Sequence, residues 1–275
     1  MQIARLAALA ILVKRRPIRK VTRASLCWEL DLREGIDLSI YLTGYFQRRV
    51  TRQILANLPA TNATFIDVGC NRGAISIPVA SRRPDCQIIA IDPVPEVLNK
   101  LIETQRLNPL IDNIVPVCEF LSSSAAVTTS DVPKVVDASW NVFSRTWSSD
   151  SSCASPLATG VARSVSLDAL CERRALVNIA VIKIDVDGFE LEVLKGAVET
   201  LHRWAPILII EWAPGSLLSR GTRLEDLSGF IDRLGYQPWR IQLNGKVIPI
   251  DWSDLIGLRR GEACELLLKR ISDFV

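Results

Sequence analysis

Five short runs of apolar residues constrain this chain more than anything else in it: Thr64–Gly69, Gln87–Asp92, Asn113–Cys118, Ile179–Asp185 and Pro206–Glu211. None alternates apolar with polar residues, so each reads as a strand buried on both faces. Stretches of helical periodicity separate them: Ala74–Ser81, Glu96–Leu107, Phe189–Trp204 and Leu224–Leu234, the last ended by Gly235. Strands and helices in alternation predict an α/β fold, a mostly parallel sheet with helices on both faces. Tyr236–Leu243 and Glu262–Lys269 read as a closing pair of strands.

Composition narrows the class. Of 275 residues, 48% are hydrophobic and 23% charged, which excludes a wholly disordered chain. No apolar run reaches the ~18–20 residues of a membrane span. Seven cysteines at wide spacing, with no CxxC, exclude a disulfide scaffold and a zinc ribbon. Cys86 and Cys118 read as core thiols, and a cytoplasmic setting is expected. His202, the only histidine, sits at the end of a helix that leads away from the ligand edge of the sheet, so it is not expected to catalyse.

The net charge of +3 conceals an asymmetry. Residues 1–28 hold seven basic side chains and no acidic one, which leaves 26 basic against 30 acidic in the rest. An acidic body opposes binding to nucleic-acid phosphates, and no nucleic-acid partner is expected. Met1–Val13 is mostly apolar and precedes Lys14-Arg15-Arg16, the reverse of the order in a signal peptide. It reads as a packed helix or a disordered end, with weak membrane contact through residues 1–23 as the alternative. The expected organisation is a basic arm (1–27), a lead-in packing on the core (28–63) and a core (64–275). Of the 45 residues 122–166, 17 are Ser or Thr. This insert is assigned as a substrate-facing lid, and Trp140, Phe143 and Trp147 favour partial order over a disordered insert.

The first strand runs into Asp67-Val68-Gly69-Cys70-Asn71-Arg72-Gly73. Glycines at these places allow a tight turn and a close ligand approach. The dinucleotide fingerprint fails, because Asn71 and Ala74 stand where glycines are needed, and no Gly-Lys-Ser/Thr follows to make a P-loop. Such a loop suits a ligand without pyrophosphate but with a cationic amino-acid head, whose ammonium Asp67 would accept. Asp92 ends the second strand, 19 residues beyond Gly73, where a carboxylate can accept ribose hydroxyls. Together these positions describe S-adenosylmethionine.

Two more carboxylates end strands, Asp185 and Glu211, and both are candidate catalytic residues. Asp185 is read as general base or substrate acceptor. Asp187 reads as a helix N-cap, with Glu190 completing a capping box. A cluster of Asp185, Asp187 and Glu211 could hold Mg²⁺, but nothing fixes a geometry and no metal is predicted.

Two stretches carry a family resemblance: Phe65–Gly73 and Ile182–Ala197, with Ser166–Leu170, Pro206–Glu211 and Trp28–Gln47 in support. The chain resembles the FkbM-type S-adenosylmethionine-dependent methyltransferases over about residues 28–270. That likeness implies a Rossmann-like class I methyltransferase fold, with a seven-stranded sheet and a final antiparallel strand. It also implies O-methylation of a hydroxyl on a small molecule, sugar or polyketide-like metabolite. It places Gly69, Cys70, Asn71 and Gly73 at the cofactor. Cys70 departs from the family's alanine, and Gln47 replaces a family glutamate, keeping the acceptor and losing the charge. Two rivals stand: a nucleic-acid methyltransferase, whose usual Asn/Asp-Pro-Pro-aromatic motif is absent at Asp185-Val186-Asp187-Gly188, and a non-catalytic binding protein on the same fold.

Overall fold

The computed structural model describes residues 17–123 and 163–271. A hairpin of β1 (Ile18–Arg23) and β2 (Leu26–Asp31) opens the described chain, followed by α1 (Gly35–Thr43) and α2 (Arg48–Asn57). The core then alternates β3 (Thr64–Val68), α3 (Ser76–Arg82), β4 (Gln87–Ile91), α4 (Pro95–Leu107) and β5 (Ile114–Val117). After β6 (Glu119–Leu121) and β7 (Arg163–Val165) come α5 (Leu167–Arg173), β8 (Ile179–Ile184), α6 (Glu190–Lys195), α7 (Val198–Trp204) and β9 (Ile207–Trp212). The chain closes with α8 (Pro214–Ser219), α9 (Leu224–Arg233), β10 (Tyr236–Ile241), β11 (Val247–Pro249), α10 (Trp252–Ile256) and β12 (Cys264–Arg270).

The main sheet has the order β11-β10-β12-β9-β8-β3-β4-β5. β9, β8, β3, β4 and β5 run parallel. β12 is antiparallel to both β9 and β10. The doubly wound Rossmann-like expectation is met, and the sheet carries one strand more than the seven expected: β11, a three-residue edge strand hydrogen-bonded to β10. Strand order reverses at β3, with β4 on one side and β8 on the other, so the crevice for a ligand lies at the carboxyl ends of β3 and β8.

Four local expectations are corrected. The single helix expected over 189–204 is two, α6 and α7, parted at Gly196-Ala197. A Cβ on Gly196 would collide with the Ser122 carbonyl, so close packing of this bend on the end of β6 requires the glycine. The basic arm does not end at residue 27, because residues 18–23 are the partner strand of β2. The proposed lid begins and ends in ordered structure: β6 pairs in parallel with β7, and the Ser122 and Ser164 hydroxyls lie 2.7 Å apart. The rest of that insert, 124–162, lies outside the described residues, as does most of the arm. Cys118 is exposed, since it follows β5 rather than lying within it, whereas Cys86 is buried as expected.

Side-chain alternation gives the sheet two unlike faces. Ile66, Val68, Ile182, Ile184, Leu208 and Ile210 belong to one apolar cluster. Phe65, Ile88, Val181 and Ile209 belong to the other, which also takes in Leu26, Trp28, Leu30, Ile40, Val50 and Ile54 of the lead-in. The lead-in therefore covers part of one face of the sheet, beside α3 and α4, whose Ile77, Val79, Leu98 and Leu101 join the same cluster. Among the described residues, no helix is long and apolar enough to cross a membrane.

Candidate functional site

The face under the lead-in also carries the charges. Asp67 on β3 is in register with Lys183 on β8. Both are buried: Asp67 has 0% and Lys183 4% of its surface exposed. Lys183 Nζ lies 3.5 Å from Asp67 Oδ1 and 3.2 Å from Asp185 Oδ2. Burial alone would depress the ammonium, but the facing carboxylates of Asp185 and Asp67 outweigh it and raise its proton affinity. A lysine inside the apolar run Ile179–Ile184 signals such a pairing, because an unpaired buried ammonium costs several kcal/mol. Lys183 is not among the site residues expected from the sequence.

Asp67 was expected to accept a cofactor ammonium. Its Oδ2 accepts from the Ser76 hydroxyl at 2.6 Å, while its buried Oδ1 lies 3.5 Å from Lys183 Nζ and has no hydrogen-bond partner among the described residues. Alternation along the strand aims the carboxylate into the covered face, away from the strand's end.

One step beyond Lys183 along the sheet, three carboxylates follow on the same face. Asp185 succeeds β8, Glu211 lies on β9, and Glu265 on β12 is its register partner. These three line a small cleft with Lys183, Val50 and Gln47. Glu265 is neutralised from the lead-in, because Arg49 of α2 donates Nε–H to its Oε2 at 3.0 Å. Among the described residues Glu211 has no such ion pair, and the Lys183 charge only partly lowers its carboxyl. Burial first, then the charges of Asp185, Glu190 and Asp187, push its carboxyl up to about 8. Gln47 precedes α2 in the left-handed region (φ 43°), and its buried Oε1 has no hydrogen-bond partner. The structure thus brings together Gln47, Asp185 and Glu211, which lie far apart in sequence.

The glycine loop adjoins this cleft. Gly69 has φ +76°, and a Cβ there would overlap the Asp185 carbonyl, so no side chain is tolerated where β3 and β8 end together. Asn71 (φ 49°) and Gly73 (φ 77°) are also left-handed, a region Asn tolerates better than most residues. The loop is tied down by its own amides: Gly69 and Cys70 donate to the Ile91 carbonyl at 2.9 and 3.0 Å. The Cys70 thiol is buried, and burial together with Asp92 and Asp67 pushes it well up, so it stays protonated.

Asp92 sits directly after β4. Its Oδ2 accepts from the Asn71 amide at 2.9 Å and its Oδ1 from the Val94 amide at 3.0 Å. Burial pushes it up to about 6 against the lowering effect of these two bonds. Each oxygen retains a second lone pair, so the position still suits ribose hydroxyls.

The loop after Asp185 differs from expectation. Asp187 lies in the left-handed region (φ 51°), and the residue that caps α6 is Phe189, with no side-chain bond. The expected capping box is absent. Glu190 reaches back across the turn instead: Oε1 accepts from the amides of Val186 and Gly188 at 3.1 and 3.3 Å. Burial pushes it up to about 7, over the opposing backbone bonds. Phe189 meets Phe120 of β6 edge to face at 5.4 Å, which places the start of the insert beside this turn. His202 is exposed in the last turn of α7, just before β9 begins at the opposite end of the sheet. Among the described residues, no three His, Cys, Asp or Glu side chains form a group that could hold a metal.

The site also includes Arg72, for which the sequence offers no signal. Its guanidinium leaves the glycine loop and enters the lead-in, where it is ion-paired with Asp37 of α1 and 2% exposed.

A glycine-tightened loop, an acidic residue after the next strand and an orphaned buried acceptor fit a nucleoside with an amino-acid head. Comparison with known proteins agrees. Residues 67–238 match the family described as the methyltransferase FkbM domain. The methyltransferase SdnD of Sordaria araneosa is 26% identical over 198 residues, 64% of this chain and 76% of that protein. The release factor glutamine methyltransferase of Escherichia coli K12 is 33% identical over 93 residues, and the match spans only 33% of either chain. The crystal structure of an FkbM methyltransferase from Methylobacillus flagellatus KT aligns with a TM-score of 0.48 at 16% identity, covering 76% of this chain and 45% of that one. With its family domain spanning most of the chain, the protein belongs to the family described as the methyltransferase FkbM domain.

Proposed function

We propose that the protein transfers a methyl group to a hydroxyl oxygen of a small molecule, sugar or polyketide-like acceptor, bound in the cleft of Gln47, Asp185 and Glu211. The observation that carries this reading is Glu211: a partly buried carboxyl with its proton affinity raised to about 8, lining the same cleft as the carboxylate of Asp185. An alcohol must lose its proton as its oxygen becomes nucleophilic, and a base titrating near the working pH does this best. Glu211 takes that proton. Asp185, held at 3.2 Å by Lys183, accepts a hydrogen bond from the acceptor and orients it.

S-adenosylmethionine, when bound, supplies an electrophilic methyl group. The loop Gly69, Cys70, Asn71 and Gly73 would lie against it, Asp92 would take the ribose hydroxyls, and the Gln47 amide oxygen would take the ammonium of the amino-acid head. Asp67 contributes indirectly, by holding Lys183. The residues then mainly align the two reactants, an effect worth up to ~7–11 kcal/mol in well-oriented cases. No metal is assigned a role. A small-molecule or glycan partner, rather than nucleic acid, suits a cleft lined by carboxylates, and weak membrane contact through residues 1–23 remains a separate proposal for the arm.

The test has two parts. S-adenosylhomocysteine should raise the melting temperature and NAD should not; no shift at millimolar ligand overturns the donor assignment. Labelled methyl donor is then offered with panels of hydroxylated metabolites, glycans, RNA and peptides. Product on oxygen that disappears in Glu211→Gln supports the proposal, and product on nitrogen or on nucleic acid overturns it.

A further inference from the structure

The pair Arg72–Asp37 has no place in the chemistry above, yet it is the deepest ionic contact between the lead-in and the core. Arg72 lies between Asn71 and Gly73, the two left-handed residues that shape the loop. Its backbone amide is held by the Asn71 side-chain oxygen at 2.7 Å. Its side chain meets two elements of the lead-in, β2 and α1. Nη2 donates to the Glu29 carbonyl on β2 at 2.7 Å, Nη1 is ion-paired with Asp37 on α1, and the guanidinium lies 5.8 Å from the centre of the Trp28 ring. Asp37, 1% exposed, is itself fixed by the Asp31 amide, which donates to it at 2.7 Å.

A buried ion pair is a poor device for stability alone, since apolar residues of similar volume often serve as well. It is a good device for position: the planar guanidinium and its three contacts define one orientation. That orientation is transmitted through a single residue to the backbone of Asn71 and Gly73.

We infer that Asp37 and Arg72 are positioning residues through which the N-terminal lead-in sets the conformation of the cofactor loop. The inference rests on the reading that this loop holds S-adenosylmethionine. Docking of residues 17–57 and cofactor binding are then coupled: a lead-in displaced from the core leaves the loop free to leave its left-handed form.

The experiment is calorimetric titration of the full chain with S-adenosylhomocysteine, with melting temperatures measured alongside. The double variant Arg72→Met with Asp37→Asn removes both charges, and the asparagine amide oxygen keeps the acceptor for Asp31. It should melt within a few degrees of the parent yet bind about tenfold more weakly, a coupling of ordinary size. Arg72→Lys, which keeps the charge and loses the fork, is the second variant and should weaken binding in the same direction. As a control, Ile54→Val loosens the lead-in core without touching the pair, and should lower the melting temperature while leaving affinity unchanged. Parent-like affinity in either Arg72 variant, or an equal loss in Ile54→Val, overturns the inference while leaving the donor assignment intact. Failure of the parent chain itself to bind overturns both.

Discussion

The two faces of the central sheet are built from the same strands and do different work. One face is apolar from β3 to β12, with Ile66, Ile182, Leu208 and Leu266 packed beneath α5, α6, α7 and α9. The opposite face begins the same way, with Phe65, Val181 and Ile209, and then turns ionic toward the carboxyl ends of the strands, with Asp67, Lys183, Asp185, Glu211 and Glu265. The difference is set by what covers each. Helices of the core seal the first face without polar needs, whereas the second is covered by α3 and α4 together with the lead-in, which brings Arg49, Gln47 and Asp37 to meet the charges. An apolar face can be repacked at some cost in stability. The ionic face fails when one partner is removed, because a buried charge is left unpaired.

The largest effect expected from that contrast is at Lys183. Lys183→Ala strands Asp67 and should cost about 3–5 kcal/mol, measured by urea unfolding, with cofactor affinity lost as well. On the other face, Ile182→Ala should cost about 2–5 kcal/mol by cavity formation while the stabilisation by S-adenosylhomocysteine persists. If both variants lose binding equally, the faces are not functionally distinct. Next is Asp92→Ala. Saturating ligand at about a hundred times Kd should stabilise the parent by ~2.7 kcal/mol, and the variant should show none of this. An unchanged affinity refutes the ribose assignment.

Protons distinguish the faces too. Asp92, Glu190 and Glu211 have carboxyls raised to about 6, 7 and 8. A raised carboxyl stabilises the fold fully below its unfolded value near 4, and this contribution is lost as pH rises through the folded value. Stability should therefore decline between pH 5 and pH 9. Glu211→Gln should remove part of that decline, so the variant gains on the parent at pH 9 and not at pH 5. Activity should move the opposite way, rising through about pH 8 as Glu211 becomes a competent base, and the rise should be missing in Glu211→Gln. The smallest effect concerns the arm. Removal of residues 1–16 should leave cofactor affinity unchanged. Removal of 1–23 also removes β1, the partner of the strand β2 that holds Arg72, and should weaken affinity a few-fold; identical behaviour of the two truncations would separate the hairpin from the site.

Much of this was legible in the chain itself. Unalternating apolar runs gave away β3, β4, β5, β8 and β9, because a strand buried on both faces has no polar side to show. The acids at strand ends, Asp92, Asp185 and Glu211, stood out against those runs for the same reason. Local geometry was harder. The break at Gly196 depends on contact with Ser122, some seventy residues earlier, and the bonds of Glu190 depend on a turn in which Asp187 is left-handed. A capping box and this turn share the same residue spacing, so only the fold separates them.

What the sequence determined by itself is the alternation of strand and helix, the glycine loop and the reservoir of carboxylates, all of them properties of residue type and near spacing. What the tertiary structure decided is which carboxylates meet a cation. Asp67 lies against Lys183 and Ser76, and Glu265 against Arg49, while Glu211 forms no such ion pair among the described residues. Pairing of charges depends on register across strands and on the lead-in lying over them, and neither distance is written in the order of residues along the chain.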